Sequence, residues 1–254
     1  MKLTNIIERE YKNVTVETIL STTDSKAANE LCDILAEWLI ITKEKMHKQF
    51  EESITDHIIL YKDIAHPLAE EMIKNTEYTQ NDITIVGLSL DRFHSSDYFP
   101  VIGVFLSELI NNHKQKNEKS EEYKLILQDF GEHVMCIGFL TDADINVLGN
   151  TGMGLGACMK GGKITLTGNT DHDVGKYMTG GRIQIKGNAK SCVGNSMFGG
   201  EIIVYGETSH SVGFNQQGGK IYLEGPYKTA PHNTFSFAKN KKGGEIYHKR
   251  VRIS

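Results

Sequence analysis

In the second half of the chain, apolar residues fall at every second place in short bursts. They read Lys163-Ile164-Thr165-Leu166, Arg182-Ile183-Gln184-Ile185, Glu201-Ile202-Ile203-Val204 and Lys220-Ile221-Tyr222-Leu223. Such alternation marks strands with one buried face. A glycine pair precedes each burst, beginning at Gly161, Gly180, Gly199 and Gly218, so the period is 19 residues. Two more glycine columns keep the same step: Gly149, Gly168, Gly187, Gly206 and Gly225, and Gly156, Gly175, Gly194 and Gly213. No repeat has room for a useful helix, and glycine inside one costs roughly 1 kcal/mol. A fixed period near twenty residues predicts a solenoid.

One such repeat cannot bury its own apolar face, but stacked repeats can. With coils spaced about 4.8 Å apart, Ile164, Ile183, Ile202 and Ile221 form an inner ladder. Leu166, Ile185, Val204 and Leu223 form a second, and Leu155, Val174, Val193 and Val212 a third. Asn150, Asn169 and Asn188 share a register that predicts side-chain hydrogen bonding up the stack. Ile145 and Val147 extend the pattern backwards. Gly243-Gly244-Glu245-Ile246 repeats it 25 residues after Gly218-Gly219, with Pro226 to Lys242 as an insertion at that end. Lys249 to Arg252 adds charge there, and the N-terminal half is expected to cap the opposite end, because bare strand edges are adhesive.

The first half reads as mixed helix and strand. Asp24 or Ser25 caps a helix carrying Leu31, Ile34, Leu35, Trp38 and Leu39 on one face. Ile54, Ile58 and Ile59 predict a second helix. Pro67 interrupts, and Leu68, Met72 and Ile73 predict a third. Ile83 to Leu90 reads as a buried strand. Val101 to Ile110 predicts a helix after Pro100, Lys114 to Glu122 a charged link, and Tyr123 to Gln128 another strand. The expected organisation is an α+β N-terminal domain, residues 1–140, followed by an all-β right-handed parallel β-helix with a C-terminal cap, residues 141–254.

Composition narrows the function classes. A formal charge of -4 gives no basic footprint for nucleic acid. The apolar run Tyr98 to Ile110 is short and contains Glu108, so no membrane span is expected. Glu8, Arg9 and Glu10 stand where a signal peptide needs apolar residues. Cys32, Cys136, Cys158 and Cys192 lie far apart, which fits reduced thiols and a cytoplasmic location.

Units such as Gly168-Asn169 … Asp173-Val174-Gly175-Lys176-Tyr177-Met178-Thr179-Gly180-Gly181-Arg182-Ile183 resemble the GXGXG domain. That domain occurs at the C-terminus of the glutamate synthase large subunit and in a scaffold subunit of formylmethanofuran dehydrogenase. The resemblance covers about Asp144 to Tyr247, more weakly Ile83 to Ile110, and implies a right-handed parallel β-helix. It implies a scaffold or accessory subunit of an oxidoreductase or amidotransferase complex, with a protein partner or a second copy, no catalytic residues, no cofactor and no metal. No cysteine follows Met1 for glutamine hydrolysis, no cysteine cluster is set for an iron–sulfur centre, and no length remains for a flavin barrel.

Some residues invite other chemistry. Gly152-Met153-Gly154-Leu155-Gly156 has the look of a nucleotide loop, but a strand rather than a helix follows, so turn glycines are expected. His172, Ser191 and His210 share a column, and the two histidines stand two coils apart, too far to share one zinc. His133, Cys136 and Cys158 form an incomplete metal set. Asp171, Asp173 and Glu201 are too isolated for a glycosidase pair. Asp91, His94, Ser95, Ser96 and Asp97 make a polar loop, ordinarily a turn and helix cap. That loop carries the alternative expectation of a small-molecule-binding protein or enzyme with its site in the N-terminal domain.

Overall fold

The computed structural model describes residues 25–52, 56–93, 101–117, 122–127, 133–227 and 242–253. A helical N-terminal part is followed by a parallel-strand β-solenoid. Strands β1 (Tyr123–Ile126), β2 (Ile145–Leu148), β3 (Lys163–Thr167), β4 (Arg182–Ile185), β5 (Glu201–Val204), β6 (Lys220–Leu223), β7 (Glu245–His248) and β8 (Val251–Arg252) form one sheet in sequence order.

The register follows the period. Ile145 lies over Ile164, Ile164 over Ile183, Ile183 over Ile202 and Ile202 over Ile221. All five are fully buried. Each such side chain contributes about 1.5–3 kcal/mol of burial, before chain entropy is subtracted. Ile221 pairs with Ile246 across the longer insertion, as the glycine pair at Gly243 predicts. The asparagine column is joined differently from a side-chain ladder. Asn150 and Asn169 each accept, through Oδ1, the backbone N–H of the asparagine one coil on, both at 2.9 Å.

Two glycine positions explain why the period holds. At Gly168 a Cβ would lie 2.6 Å from the Gly149 carbonyl carbon and closer still to its oxygen, so the coils meet there backbone to backbone. Gly175 has φ +64, and a Cβ would fall 2.5 Å from Ile202 Cδ1, so this corner is hollowed for the ladder of the next coil.

The solenoid begins one rung earlier than the 19-residue pattern shows. β1 pairs in parallel with β2, Tyr123 against Ile145, an offset of 22. The helices are α1 (Lys26–Glu52), α2 (His57–Leu60), α3 (His66–Ile73), α4 (Gln80–Leu88) and α5 (Ile102–Lys116). The free edge of β1 is covered by α4. Gln80 Nε2 donates to Glu122 O at 2.6 Å, and Thr84 Oγ1 to Lys124 O at 2.7 Å. Helix side chains thus satisfy strand carbonyls that would otherwise invite another chain. At the far end β8 pairs antiparallel with β7.

α4 corrects one expectation. Ile83 to Leu90 is not a strand; most of it lies in α4. A short apolar run cannot be told from a buried helix by periodicity alone. The deciding signal lies just before it. Thr79 accepts the Asp82 N–H, and Asp82 Oδ2 accepts the Thr79 N–H at 2.8 Å, a reciprocal capping box. Ser25, one of the two caps predicted for α1, accepts the Ala28 N–H and donates to Asp82.

Pro67 stands in the first turn of α3, so a new α-helix starts there as expected, although the chain stays helical through the junction. A π turn, Tyr61–Ala65, joins α2 to α3, and the His66 N–H donates to Tyr61 O, five residues back. The wider turn removes the clash that a proline ring makes with the carbonyl four residues earlier. Trp38 of α1 is fully buried against this turn and donates Nε1–H to Ala65 O at 3.0 Å. α5 joins the two halves. Ser107 Oγ, wholly buried, accepts the Gly138 N–H at 2.9 Å and the Phe139 N–H at 3.0 Å.

Candidate functional site

The helical layer meets the solenoid along one wall and leaves a cleft of about 780 Å³. That volume is typical of a small-molecule site. One side is the outer face of α2 and its π turn, with Ile58, Ile59, Lys62 and His66. The other is built from two solenoid columns. Leu140, Cys158 and Tyr177 make one; Lys160, Thr179 and Phe198 make the other.

The first column is unusual in its backbone. Leu140, Cys158 and Tyr177 all have positive φ, 55, 57 and 58. Residues in this region more often mark strain at functional sites. Here the same conformation recurs at Ser196 (φ 54) and Asn215 (φ 52), beyond the cleft. The geometry therefore belongs to the coil; the cleft merely uses the side chains it presents.

The rim at α2 is held by a charged cluster. Lys176 Nζ lies 2.7 Å from Asp56 Oδ2 and 3.7 Å from Asp173 Oδ2. Tyr177 OH donates to Asp56 Oδ2 at 3.1 Å, and Asp56 Oδ1 caps α2 by accepting the Ile58 N–H at 3.0 Å. Burial opposes charge on both partners, yet their hydrogen bonding outweighs it. The Asp56 carboxyl is held below its ordinary range and the Lys176 ammonium above its own. Sequence patterning does not reveal this cluster, because Tyr177 and Asp56 are 121 residues apart. One signal is present. Lys176-Tyr177 stands in the column where neighbouring coils carry Ala157-Cys158 and Asn195-Ser196. A long cation with only 12% of its side chain exposed breaks the repeat.

His66 lies where this cleft adjoins a second, more polar one that also contains Glu108, Lys114 and Asp142. His66 Nε2 is 2.8 Å from Glu108 Oε2, and the Glu108 side chain is 3% exposed. Cys158 faces the first cleft, but burial pushes its thiol up to about 11. Cys136 is fully buried, and burial raises its thiol well above the ordinary range. Neither supplies a thiolate nucleophile near neutral pH. All four cysteines are free thiols.

The residues singled out from sequence are scattered. Asp91 is exposed on a short 3-10 turn, Leu90–Phe93, and does not line the cleft. His94, Ser95, Ser96 and Asp97 lie outside the described residues. His172 Nδ1 is 2.5 Å from Ser191 Oγ, and its Nε2 is 3.0 Å from Asp171 Oδ1. This resembles a serine–histidine–aspartate chain, but Ser191 is 3% exposed and Asp171 is tied to Lys190 at 2.9 Å. Such a serine is closed to substrate. His210 approaches Ser211 at 3.1 Å instead. His133 lines a polar hollow with Asp171 and Lys190. Among the described residues no three histidine, cysteine or acidic side chains gather to hold a metal ion. Gly154 and Gly156 are turn residues at φ 78 and 68, and β3 follows them. No described helix is long and apolar enough to cross a membrane. Comparison with protein-family models and with curated proteins gives no match.

Proposed function

We propose that this chain is a scaffold or accessory subunit supporting protein–protein assembly, related to the GXGXG β-helix parts of glutamate synthase and formylmethanofuran dehydrogenase, without a catalytic site of its own. The observation that carries the reading is the outer face of the sheet. The column beside the buried ladder runs Asn146, Thr165, Gln184, Ile203, Tyr222 and Tyr247, so it turns from polar to apolar along the stack. Tyr222 and Tyr247 stack at 4.9 Å, and Tyr205 nearby is 50% exposed. The charges bordering them are already paired within the chain, Arg182 with Glu201 and Lys220 with Glu245. A flat aromatic patch with compensated charges suits an apolar protein surface.

Sizing with light scattering tests this on the full chain, alone and in fresh native extract. An assembly larger than one chain is expected, and the Ile203→Glu/Tyr222→Glu double variant should lose it while keeping its circular dichroism. A wild-type monomer under both conditions overturns the proposal.

A second reading, a small-molecule-binding protein, is favoured by the cleft between α2 and the solenoid. Saturable binding of a small molecule there, read by amide chemical shifts at Tyr177 and Thr179, would support it.

A further inference from the structure

The cleft is polarised from end to end. The solenoid wall climbs from Leu140 through Cys158 and Lys160 to Tyr177 and Thr179, and then to Phe198. That is three coil steps, about 14 Å. The helix runs the opposite way. Asp56 at its start reaches Lys176 and Tyr177, while His66 at its far end packs beside Phe139, ring centroids 6.2 Å apart. One end therefore gathers His66 and Lys160, and the other Ile59 and Phe198.

The polar end brings Lys62 and Lys160 into the cleft, while His66 there is engaged by the buried Glu108 at 2.8 Å. No described residue lining the cleft is acidic. Asp56, the carboxylate at the α2 rim, is engaged by Lys176 and Tyr177. Lys62 on the helix and Lys160 on the solenoid line the cleft from its two walls. Neither has an ion-pair partner among the described residues. The apolar end is open: Ile59 is 42% exposed and Phe198 49%. Large apolar side chains exposed beside unpaired cations on a concave surface mark a place awaiting a ligand.

We infer that the cleft binds a small anionic amphiphile, its carboxylate or phosphate held by Lys62 and Lys160 and its apolar tail laid along Tyr177 and Ile59 toward Phe198. This deepens the small-molecule reading and does not depend on the scaffold reading. Carboxylate and phosphate heads share the required charge.

Titration of the full chain with octanoate, octyl phosphate, octyltrimethylammonium and octanol tests it, followed by calorimetry and amide chemical shifts. Saturable binding of octanoate or octyl phosphate, with the tighter of the two naming the head group, supports the inference. Lys160→Glu should weaken that binding roughly tenfold or more, the loss of one charge-assisted contact. Phe198→Ser should weaken it too. Both sites are exposed, so neither variant should shift the melting temperature. Binding of octanol and octyltrimethylammonium as tight as that of the two anions overturns the anionic assignment while leaving a cleft that binds small molecules. Failure of all four probes overturns the assignment and the small-molecule reading together.

Discussion

In the solenoid, Ile183 meets Ile164 and Ile202 because the same residue returns 19 places along the chain. In the helical layer, Trp38 meets Phe105 at 5.3 Å and the Ala65 carbonyl, and nothing near any of the three residues announces it. The first region solves one packing problem and repeats the solution. The second solves a different problem at each contact. Glycine spaces the coils in the first region; in the second, Gly103 of α5 admits the Met135 carbonyl, which a Cβ would strike, whereas Gly87 of α4 merely lacks a side chain.

The same substitution should have opposite signs at Gly168 of the solenoid and Gly87 of the helical layer. Gly168→Ala places a methyl group against the Gly149 carbonyl, where backbone would have to yield. A loss of about 3 kcal/mol or more is expected, in line with severe overpacking. Gly87→Ala in α4 meets nothing nearer than 3.7 Å. It should be neutral or stabilising by about 0.5–1 kcal/mol. Urea denaturation of both variants checks this, and equal effects would break the distinction.

The junction between the regions comes next in size. Ser107→Ala leaves the Gly138 and Phe139 amides without their buried acceptor. About 2–3 kcal/mol should be lost, together with faster hydrogen exchange at those two amides. An unchanged exchange rate would mean that the helix does not anchor the first coil.

Asp56→Asn keeps a good helix cap but removes the charge facing Lys176. A cost of about 1–2 kcal/mol at neutral pH is expected, less than for a fully buried pair because the rim is partly wet. The Asp56 carboxyl is lower in the folded protein than unfolded. Its stabilisation is thus present above the unfolded value and disappears as pH falls through the folded one. Melting curves of wild type and variant should converge on acidification; a gap that persists at low pH contradicts the pairing. The smallest effect belongs to Asn169→Ala, which removes one exposed bond to the Asn188 N–H. It should cost about 0.5–1 kcal/mol.

The solenoid is legible in the sequence because its side chains report position twice, through alternation along a strand and recurrence between coils. Its first rung is hidden. β1 sits 22 residues before its partner, off the 19-residue period. β1 reads as a strand, but not as part of the stack. α4 reads as a strand because its apolar run hides helical spacing, and the capping box from Thr79 to Asp82 is the signal that outweighs it. The cleft is legible at one residue only. Its walls, Ile58 to His66 and Leu140 to Phe198, are distant in sequence, and only docking of the helical layer brings them together. Lys176 alone, a charge inserted into a repeat, marks the place.

Deleting one complete coil tests the stacking most directly. Removal of residues 182–200 joins Gly181 to Glu201 and lays Ile202 over Ile164, preserving every ladder. A cooperative unfolding transition and unchanged protection of the α5 and β1 amides are predicted, because coils contribute nearest-neighbour terms. Removal of residues 182–199, one fewer, shifts every following side chain to the wrong face and should abolish the transition. If both deletions fold alike, or both fail alike, residues 19 apart are not stacked and the β-helix described above is wrong.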